Sequence, residues 1–584
     1  METLLTSFRD KLTDAIGQAF GEALSPDERK ADMAPCLQEG FGHYQCNSAL
    51  RLSKILKQNP RAVAQKIVDG LPSSDRELFA QVEIAGPGFI NFTLAPAFLS
   101  RELQRQLADP LLGASRPAKK QKVIVEFSSP NVAKELHVGH IRSTIIGDCL
   151  ARLFEFLEQD VLRLNHIGDW GTQFGMLITY MKEHAPAVLE GKEPTELDSL
   201  MRWYRAAKKE FDANPDFKKR AQLQVVQLQA GEKEALHAWK IICEISRKGF
   251  QEIYDLMGVK IGERGESFYN PYLKDIVQEL EQKGLIEISD GAKCIFLEGF
   301  QNREGQSLPL MVQKSDGGYN YDTTDLAAIR YRIFVDKADR IIYVTDVGQS
   351  LHFQMVFAAA QKAGWLDPAK TEVDHVGFGL VLGADGKKFK TRSGDTEKLI
   401  DLLTEAVDKA REIIKDRLPV AEPGEAEHLA RVLGIGAVKY ADLSCHRTKD
   451  YTFSYDRMLR FEGNTAVFLL YAYVRIMGIK RKTGADMNYV LSHFKIDVRH
   501  PSEIALALHI RRFGEIVEMV ARDLLPNRLT DYLYELAEKF NAFFRDCRVE
   551  GTPEEGSRLV LCDLTARLLK QGLEILGLET VDRM

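Results

Sequence analysis

The chain has 584 residues, of which 45% are apolar and 28% charged, and its formal net charge is −6. This length exceeds a single ordinary core, so we expect several domains. The net charge excludes a uniformly basic surface, although local Lys and Arg patches can still bind a polyanion.

The cysteines and the amino terminus indicate the compartment. The eight cysteines are scattered without a C-x-x-C pair, which predicts free thiols, a reducing environment and no structural zinc. The first segment, METLLTSFRDKLTDAIGQAF, mixes charged and apolar residues at helical spacing, unlike a signal peptide. No apolar run reaches membrane-spanning length. We therefore expect a cytoplasmic protein without a membrane partner.

Residues 1–115 are predicted to form a small α+β domain. A helical start precedes the phrases FGHYQCNSALRLSKIL and VEIAGPGFINFTL, and apolar alternation after the Gly-Pro-Gly turn predicts a strand. The segment GASRPAKKQK is a candidate linker to the next domain.

Residues 116–420 are predicted to form a Rossmann-like α/β domain with a parallel sheet. The buried strand VIV, a helix, the strand VLRLNHIG and another helix alternate as in doubly wound sheets. Charged amphipathic helices near 186–258 predict one insertion, and a second is expected near 262–315. The short strands KCIFL, LPLMVQ and IIYVT are assigned to the resumed sheet.

Residues 421–584 are predicted to form an all-α helical bundle. Its first part interleaves cations with aromatic residues, which can neutralise RNA phosphates and stack unpaired bases. Tyrosines at helical spacing also form cores, so the pattern leaves both interpretations open. The interleaved residues are Arg447, Lys449, Tyr451, Tyr455, Phe468, Tyr471, Tyr473, Arg475, Lys480, Arg481, Lys482, Arg511 and Arg512.

The segment EFSSPNVAKELHVGHIRSTIIGD is the strongest chemical signal. It places His137 and His140 around Gly139 at a predicted helix start, where backbone N–H groups attract anions. Gly139 lacks the Cβ that would hold a phosphate or ribose away. The imidazoles can donate to a phosphoryl oxygen. A metal-binding pair or a structural pair are the alternatives, although zinc would require further ligands nearby.

The loop GADGKKFKTRSGD, residues 383–395, is the second signal. Its lysines and glycines can close over a triphosphate, although such a loop by itself is more often only solvated. Its position after the histidine motif favours one nucleotide site built from both.

These motifs resemble the HIGH and KMSKS pair of class I aminoacyl-tRNA synthetases. The sequence around them resembles that of the arginyl-tRNA synthetase family. The resemblance spans the chain. Its phrases include NHIGDWGTQFGML, YDTTDLAAI, VTDVGQSLHF, GDTEKLIDLL, FEGNTAVFLLYAYVRI, LGLETVDRM, GHYQCNSA and AGPGFINFTL.

One position departs from the family pattern. With Gly394 aligned on the glycine after KMSKS, Lys388 matches the first lysine but Thr391 replaces the second. The resemblance suggests Lys134 as a substitute cation, and Lys390 and Arg392 are rivals. It implies catalytic roles for His137, His140, Lys134 and Lys388.

The resemblance also implies two binding sets. Carboxylates can grip a guanidinium bidentately, and Tyr321 and Asp325 share a helical face at i, i+4. Gly168, Asp169 and Trp170 are expected to shape the floor. The arginine-binding set is Glu126, Asn131, Tyr321, Asp325 and Gln349. The ATP-binding set is His137, Gly139, His140, His352 and Lys388, with His352 holding adenosine unless it is structural.

The reaction implied is ligation of L-arginine to the 3′-terminal adenosine of tRNA(Arg) through an arginyl-adenylate, with ATP as substrate and Mg²⁺ on its phosphates. The first step is expected to need bound tRNA, and no editing site is evident. A monomer is expected, with the first domain at the tRNA elbow and the helical bundle at the anticodon. The alternatives are a catalytically silent tRNA-binding relative and a class I-fold nucleotidyltransferase that activates another acid.

Overall fold

The computed structural model describes residues 3–36, 40–302, 304–383, 385–387, 398–417 and 423–584. The chain divides into two compact units. One comprises residues 1–118, 460–574 and 579–584, and the other residues 119–459 and 575–578. No helix in these described ranges has both the length and the apolar character needed to cross a membrane.

The amino-terminal part of the first unit is an α+β module with an antiparallel sheet in the order β1-β2-β4-β3. The Gly-Pro-Gly turn joins β3 to β4, so the phrase around it forms a hairpin. The strands are β1 Met33–Pro35, β2 Tyr44–Cys46, β3 Phe79–Ala85 and β4 Phe89–Leu94. The helices are α1 Leu4–Phe20, α2 Pro26–Arg29, α3 Ser48–Leu56, α4 Pro60–Asp69, α5 Ser73–Arg76 and α6 Pro96–Ala108.

The second unit is built on a five-stranded parallel sheet in the order β12-β11-β5-β6-β7. The strands of the unit are β5 Lys122–Glu126, β6 Asp160–Asn165, β7 Gly262–Glu263, β8 Glu287–Ser289, β9 Ala292–Gln301, β10 Ser307–Gln313, β11 Arg340–Tyr343, β12 Glu372–His375, β13 Val381–Leu382 and β14 Tyr451–Thr452. Its helices are α7 Val138–Phe156, α8 Thr172–His184, α9 Pro186–Leu189, α10 Leu197–Ala213, α11 Pro215–Gln229, α12 Lys233–Met257, α13 Asn270–Gln282, α14 Tyr321–Phe334, α15 Ser350–Lys362, α16 Leu399–Arg417, α17 Pro423–Leu443 and α18 Tyr455–Met458.

The strand order creates a switch point between β5 and β11. From β5 the chain proceeds to β6 and β7 on one side, whereas β11 and β12 lie on the other. Ligands of open α/β sheets bind at the carboxyl ends of the strands at such a point. Glu126 ends β5 and is paired with Tyr343, which ends β11.

Two strands assigned to this sheet from sequence lie elsewhere, so that assignment was wrong. The segments KCIFL and LPLMVQ belong to β9 and β10, which form a separate antiparallel sheet with β8. The turn at Asp290 and Gly291, both with positive φ, joins β8 to β9 as a tight hairpin. Short turns of this kind connect antiparallel neighbours, whereas parallel strands need a longer crossover.

The helices of the predicted insertion near 186–258 pack against one another. Their apolar faces enclose a core that also includes Val132 and Ala133 from the loop after β5. The insertion therefore supports the loop that precedes the histidine motif.

Helices α19–α24 complete the first unit. Glu102 on α6 and Arg511 on α21 form a buried ion pair at 3.4 Å, and Gln106 Nε2 donates to the Ile510 carbonyl at 2.9 Å. These helices are α19 Ala466–Thr483, α20 Met487–His493, α21 Pro501–Arg511, α22 Phe513–Asp523, α23 Asn527–Asp546 and α24 Glu555–Ile575.

The residues just before α19 differ from the predicted all-α tail. Tyr451 lies in β14, which pairs in parallel with β13, and the Tyr455 hydroxyl donates to the Leu402 carbonyl. Arg447 donates to the Gly377 carbonyl at 2.7 Å. These residues therefore belong to the parallel-sheet unit. The three-domain division near residues 115 and 420 stays a prediction.

Candidate active site

A cavity of about 890 Å³ opens at the carboxyl edge of the parallel sheet. The end of β5 and the residues that follow β11 line it together, at the switch point. Its lining includes ten residues predicted from the sequence. They are Glu126, Asn131, His137, Gly139, His140, Gly168, Tyr321, Asp325, Gln349 and His352. Lys134 is exposed and does not line the cavity, and Lys388 lies outside the described residues.

The histidine pair begins α7. His137 is the N-cap residue, and its Nδ1 accepts the Gly139 N–H at 2.9 Å, while His140 Nδ1 accepts the His137 N–H at 3.2 Å. Because both Nδ1 atoms accept, a neutral ring carries its proton on Nε2. Each Nε2 can therefore act as a hydrogen-bond donor.

Burial keeps both imidazoles neutral. Burial lowers the pKa of His137, and the charge of Lys134 lowers it further. Burial also lowers the pKa of His140 to about 3, and the charges of His137 and Lys134 add to this effect. The exposed Lys134, which the resemblance suggests as the substitute cation, therefore acts electrostatically on both rings.

Gly139 has a second role that the sequence did not show. A Cβ at this position would lie 2.6 Å from Cε1 and 2.8 Å from Nδ1 of His137. Glycine therefore leaves room for the His137 ring to bond back to the helix start, as well as keeping the backbone open to a ligand.

The loop between β5 and α7 is strained and well supported. Ser128, Ser129 and Ala133 have positive φ, which is unfavourable for residues with a Cβ. Ser128 shares a hydrogen bond with the Tyr254 hydroxyl at 2.7 Å, and the Ala133 N–H donates to Ser246 Oγ at 3.0 Å. Both partners lie on α12, so the helical insertion holds the loop in this conformation.

Asp325 belongs to a charge cluster with His352. His352 Nε2 lies 2.6 Å from Asp325 Oδ2 and its Nδ1 lies 3.2 Å from Asp322 Oδ1. His166 Nε2 lies 3.8 Å from the other Asp325 oxygen. Burial lowers the pKa of His352, but the two aspartates outweigh it and raise the pKa to about 9. Both ring nitrogens thus face carboxylates, and the adenosine contact of His352 stays a prediction.

Glu126 is already paired within the chain. Its carboxylate forms an ion pair with Arg332, a fully buried residue of α14 whose guanidinium also lies 5.1 Å from the Tyr343 ring centroid. One charge of the predicted arginine-binding set is therefore neutralised before any substrate enters.

Glu266 and His166 also line the cavity, and the sequence analysis missed both. Burial, followed by the charges of Asp325 and Asp169, raises the pKa of Glu266 to about 8. His166 directly follows β6, a position that could have been noticed because the ends of parallel strands meet at one edge. Glu266 follows β7, which has only two residues and therefore no recognisable pattern.

Gln349, Tyr321 and Gly168 line the cavity as well, and each contacts a neighbouring residue of the site. Gln349 Nε2 donates to Asp346 Oδ2 at 2.6 Å, and Tyr321 stands with its ring 5.1 Å from that of His352. Gly168 lines the cavity, and a Cβ there would lie 2.2 Å from Asn131 Oδ1.

Asp169 and Trp170 support the site from behind. The Asp169 carboxylate accepts from the N–H and hydroxyl of Ser267 at 2.8 and 2.6 Å. Trp170 packs edge-on against Trp239 in the core of the insertion. Neither residue lines the cavity.

A parallel sheet with paired histidines at its first helix start and an acidic pocket beside them defines the catalytic domain of a class I aminoacyl-tRNA synthetase. Residues 102–455 match the family described as tRNA synthetases class I (R), catalytic domain. Residues 6–94 match the arginyl tRNA synthetase N terminal domain, and residues 469–584 match the DALR anticodon binding domain.

Comparison with full-length relatives identifies the family within this class. The chain is 62% identical to an arginine–tRNA ligase of Protochlamydia amoebophila and 52% identical to one of Chlamydia felis, over 100% of each chain. A solved arginyl-tRNA synthetase of Plasmodium falciparum matches with a TM-score of 0.85 and 33% identity, covering 100% of both chains. The chain belongs to the arginyl-tRNA synthetase family.

Proposed function

We propose that the cavity at the switch point binds L-arginine beside ATP and that the chain joins arginine to the 3′-terminal adenosine of tRNA(Arg). The arginine carboxylate attacks the α-phosphate of ATP, forming arginyl-adenylate and releasing pyrophosphate. The 2′-hydroxyl of the terminal adenosine then attacks the adenylate carbonyl and displaces AMP. The observation that carries this assignment is the single cavity that the histidine pair shares with Asp325 and Glu266.

The guanidinium is bound by carboxylates in this proposal. Asp325 and Glu266 supply the charge, because the Glu126 carboxylate is already paired with the fully buried Arg332. Tyr321, Asn131 and Gln349 surround the rest of the amino acid. A guanidinium supplies fixed hydrogen-bond donors and a charge that favours the ionised form of Glu266, and a neutral aliphatic side chain supplies neither.

The histidines act on the phosphates. Two neutral imidazoles fixed at the start of α7 present Nε2–H donors, and preset donors need no reorganisation when charge develops on the α-phosphate. Lys134 adds a positive charge beside them, and Lys388 is proposed as the cation of the loop at 383–395. Mg²⁺ enters with ATP as part of the substrate. We infer that tRNA must be bound for the first step.

The tRNA contacts are proposed from exposed side chains of the helical region. Tyr471 on α19 is exposed, and the Arg475 guanidinium lies 4.7 Å from its ring centroid and 5.2 Å from that of Phe544. An exposed aromatic ring beside a guanidinium suits an unpaired RNA base. Tyr473 is buried and is assigned to the core instead. A tRNA-elbow contact of the amino-terminal module, a monomeric state and a cytoplasmic location stay predictions.

Aminoacylation with purified chain, ATP·Mg²⁺, a mixed tRNA pool and labelled amino acids tests this function. Arginine is expected to be attached and its neutral isostere citrulline rejected, since citrulline has nearly the same shape but no charge for Asp325. A chain that charges no tRNA would be the silent relative. Efficient charging with another amino acid would indicate a synthetase of different specificity.

A further inference from the structure

The segment that carries the histidines is bonded to the chain that follows the lysine-rich loop. Lys398 pairs as an isolated antiparallel bridge with His137, and the Leu399 N–H donates to the Leu136 carbonyl at 2.9 Å. Lys398 is the first described residue after 388–397. The chain therefore leaves the loop at a point fixed against the start of α7.

Side chains reinforce this backbone contact. Lys398 Nζ lies 2.8 Å from Glu135 Oε1 and 2.8 Å from Asp198 Oδ1. Glu135 stands two residues before His137, and Asp198 lies in the first turn of α10 in the helical insertion. One ammonium thus joins three segments that are far apart in sequence.

The cation is stably charged at this position. Hydrogen bonds to Asp198 and Glu135 raise the pKa of Lys398 to about 12. Its side chain is 38% exposed, whereas that of Glu135 is 17% exposed. Asp198 is 64% exposed, so the Lys398–Asp198 pair is expected to contribute little to the stability of the fold.

We propose that Lys398, clamped between Glu135 and Asp198, is a positioning residue that sets the base of the lysine-rich loop against the histidine pair. The proposed function assigns the ATP phosphates to the histidine pair and to Lys388, so the relative placement of their two segments determines how well the α-phosphate is held. Misplacement by about 1 Å can slow a reaction by about a hundredfold. The inference rests on the proposed function, because it concerns the rate of the same reaction.

The test compares kinetic constants of Lys398→Met with those of Lys293→Met. Lys293 forms a comparable ion pair with Glu281 at 2.5 Å, with 29% exposure, and does not line the cavity. Lys398→Met is expected to lower kcat for aminoacylation by about ten- to a hundredfold. The KM for arginine should stay within about twofold, because the clamp contacts no arginine-binding side chain. Lys293→Met should retain the wild-type constants.

Two further variants separate positioning from a general structural role. Lys398→Arg keeps the charge and should restore most of the rate. The double variant Glu135→Gln with Lys398→Met should be no slower than Lys398→Met alone, since residues that act through one contact are not additive.

Three results would overturn the clamp: a wild-type rate in Lys398→Met, a loss that Lys398→Arg does not restore, or strictly additive losses in the double variant. Inactivity of the wild-type chain would instead contradict the proposed function and remove the basis of the clamp with it.

Discussion

His352 Nε2 and Asp325 Oδ2 lie 2.6 Å apart at the edge of the active-site cavity. The Nδ1 atom of the same ring faces Asp322 at 3.2 Å, so the imidazole bridges two carboxylates of α14. In the absence of substrate the protein therefore supplies its own cation to the carboxylate proposed to bind arginine.

This bridge makes stability depend on pH. Burial lowers the pKa of His352, but the aspartates raise it to about 9, above its ordinary value of 6.5. The stabilisation is complete below pH 6.5 and is lost as the pH rises through about 9. We expect His352→Asn to reduce the free energy of unfolding at low pH by on the order of 1–3 kcal/mol, with a smaller effect above the folded-state pKa. Denaturant unfolding of both proteins across this range provides the measurement, and a pH-independent difference would contradict the bridge.

Asp325→Asn should impair the use of arginine selectively. Removing one charge from a desolvated pair costs about 2–5 kcal/mol, so kcat/KM for arginine should fall by roughly thirtyfold or more. The KM for ATP should change little. Asp316→Asn, in an exposed turn outside the cavity, is the matched control. Unchanged arginine kinetics would remove Asp325 from the binding set.

Glu126→Gln should lower the free energy of unfolding, so its effect on the fold has to be measured before any effect on substrate binding is interpreted. The change leaves the Arg332 cation fully buried without its carboxylate, and breaking such a pair costs about 3–5 kcal/mol. Adding Arg332→Met should recover part of this loss. Glu155→Gln, at the exposed ion pair with Arg163, should cost no more than about 1 kcal/mol. Equal losses at the two sites would show that Glu126 and Arg332 are not a buried pair in solution.

Gly139→Ala should slow catalysis while leaving the fold intact. The new methyl group would meet His137 at 2.6 Å, so the ring must rotate away from the Gly139 N–H. Loss of one preset donor typically lowers kcat by about 10²–10³-fold. Gly424→Ala, where a Cβ would meet nothing within 4 Å, is the control. Steady-state aminoacylation with melting temperatures would check this, and a wild-type kcat would refute it.

Arginine binding should become tighter as the pH rises through about 8. Burial, with the charges of Asp325 and Asp169, raises the pKa of Glu266 to about 8, so below this pH the carboxyl is mainly protonated in the free protein. A bound guanidinium favours the ionised form and should displace up to about one proton. Calorimetric titration in buffers of different ionisation enthalpy measures that proton.

The variant Glu266→Gln controls for other groups that titrate nearby. His352 and His166 face Asp325 from their own elements, and the substrate amine also titrates. Because these groups are common to both proteins, only the difference between them reports on Glu266. Identical proton release would assign the effect to another group.

Local sequence patterns predicted the family, the parallel-sheet architecture and ten of the residues that line the cavity. These features depend on local patterns: Glu126 at the end of its strand, His137 at the helix start, and the i, i+4 pair Tyr321 and Asp325 all line the cavity. Local periodicity did not distinguish the antiparallel strands β9 and β10 from members of the parallel sheet, because strand pairing is a tertiary property.

The pairing of charges within the site could be read only from the fold. Arg332 neutralises Glu126, His352 bridges two aspartates, and Glu266 reaches the cavity from a segment with no motif of its own. Charge pairing and burial depend on side chains that meet from distant parts of the chain, and burial and neighbouring charges together shift their pKa values. The motifs therefore identify the residues of the site, whereas the fold sets their electrostatic state.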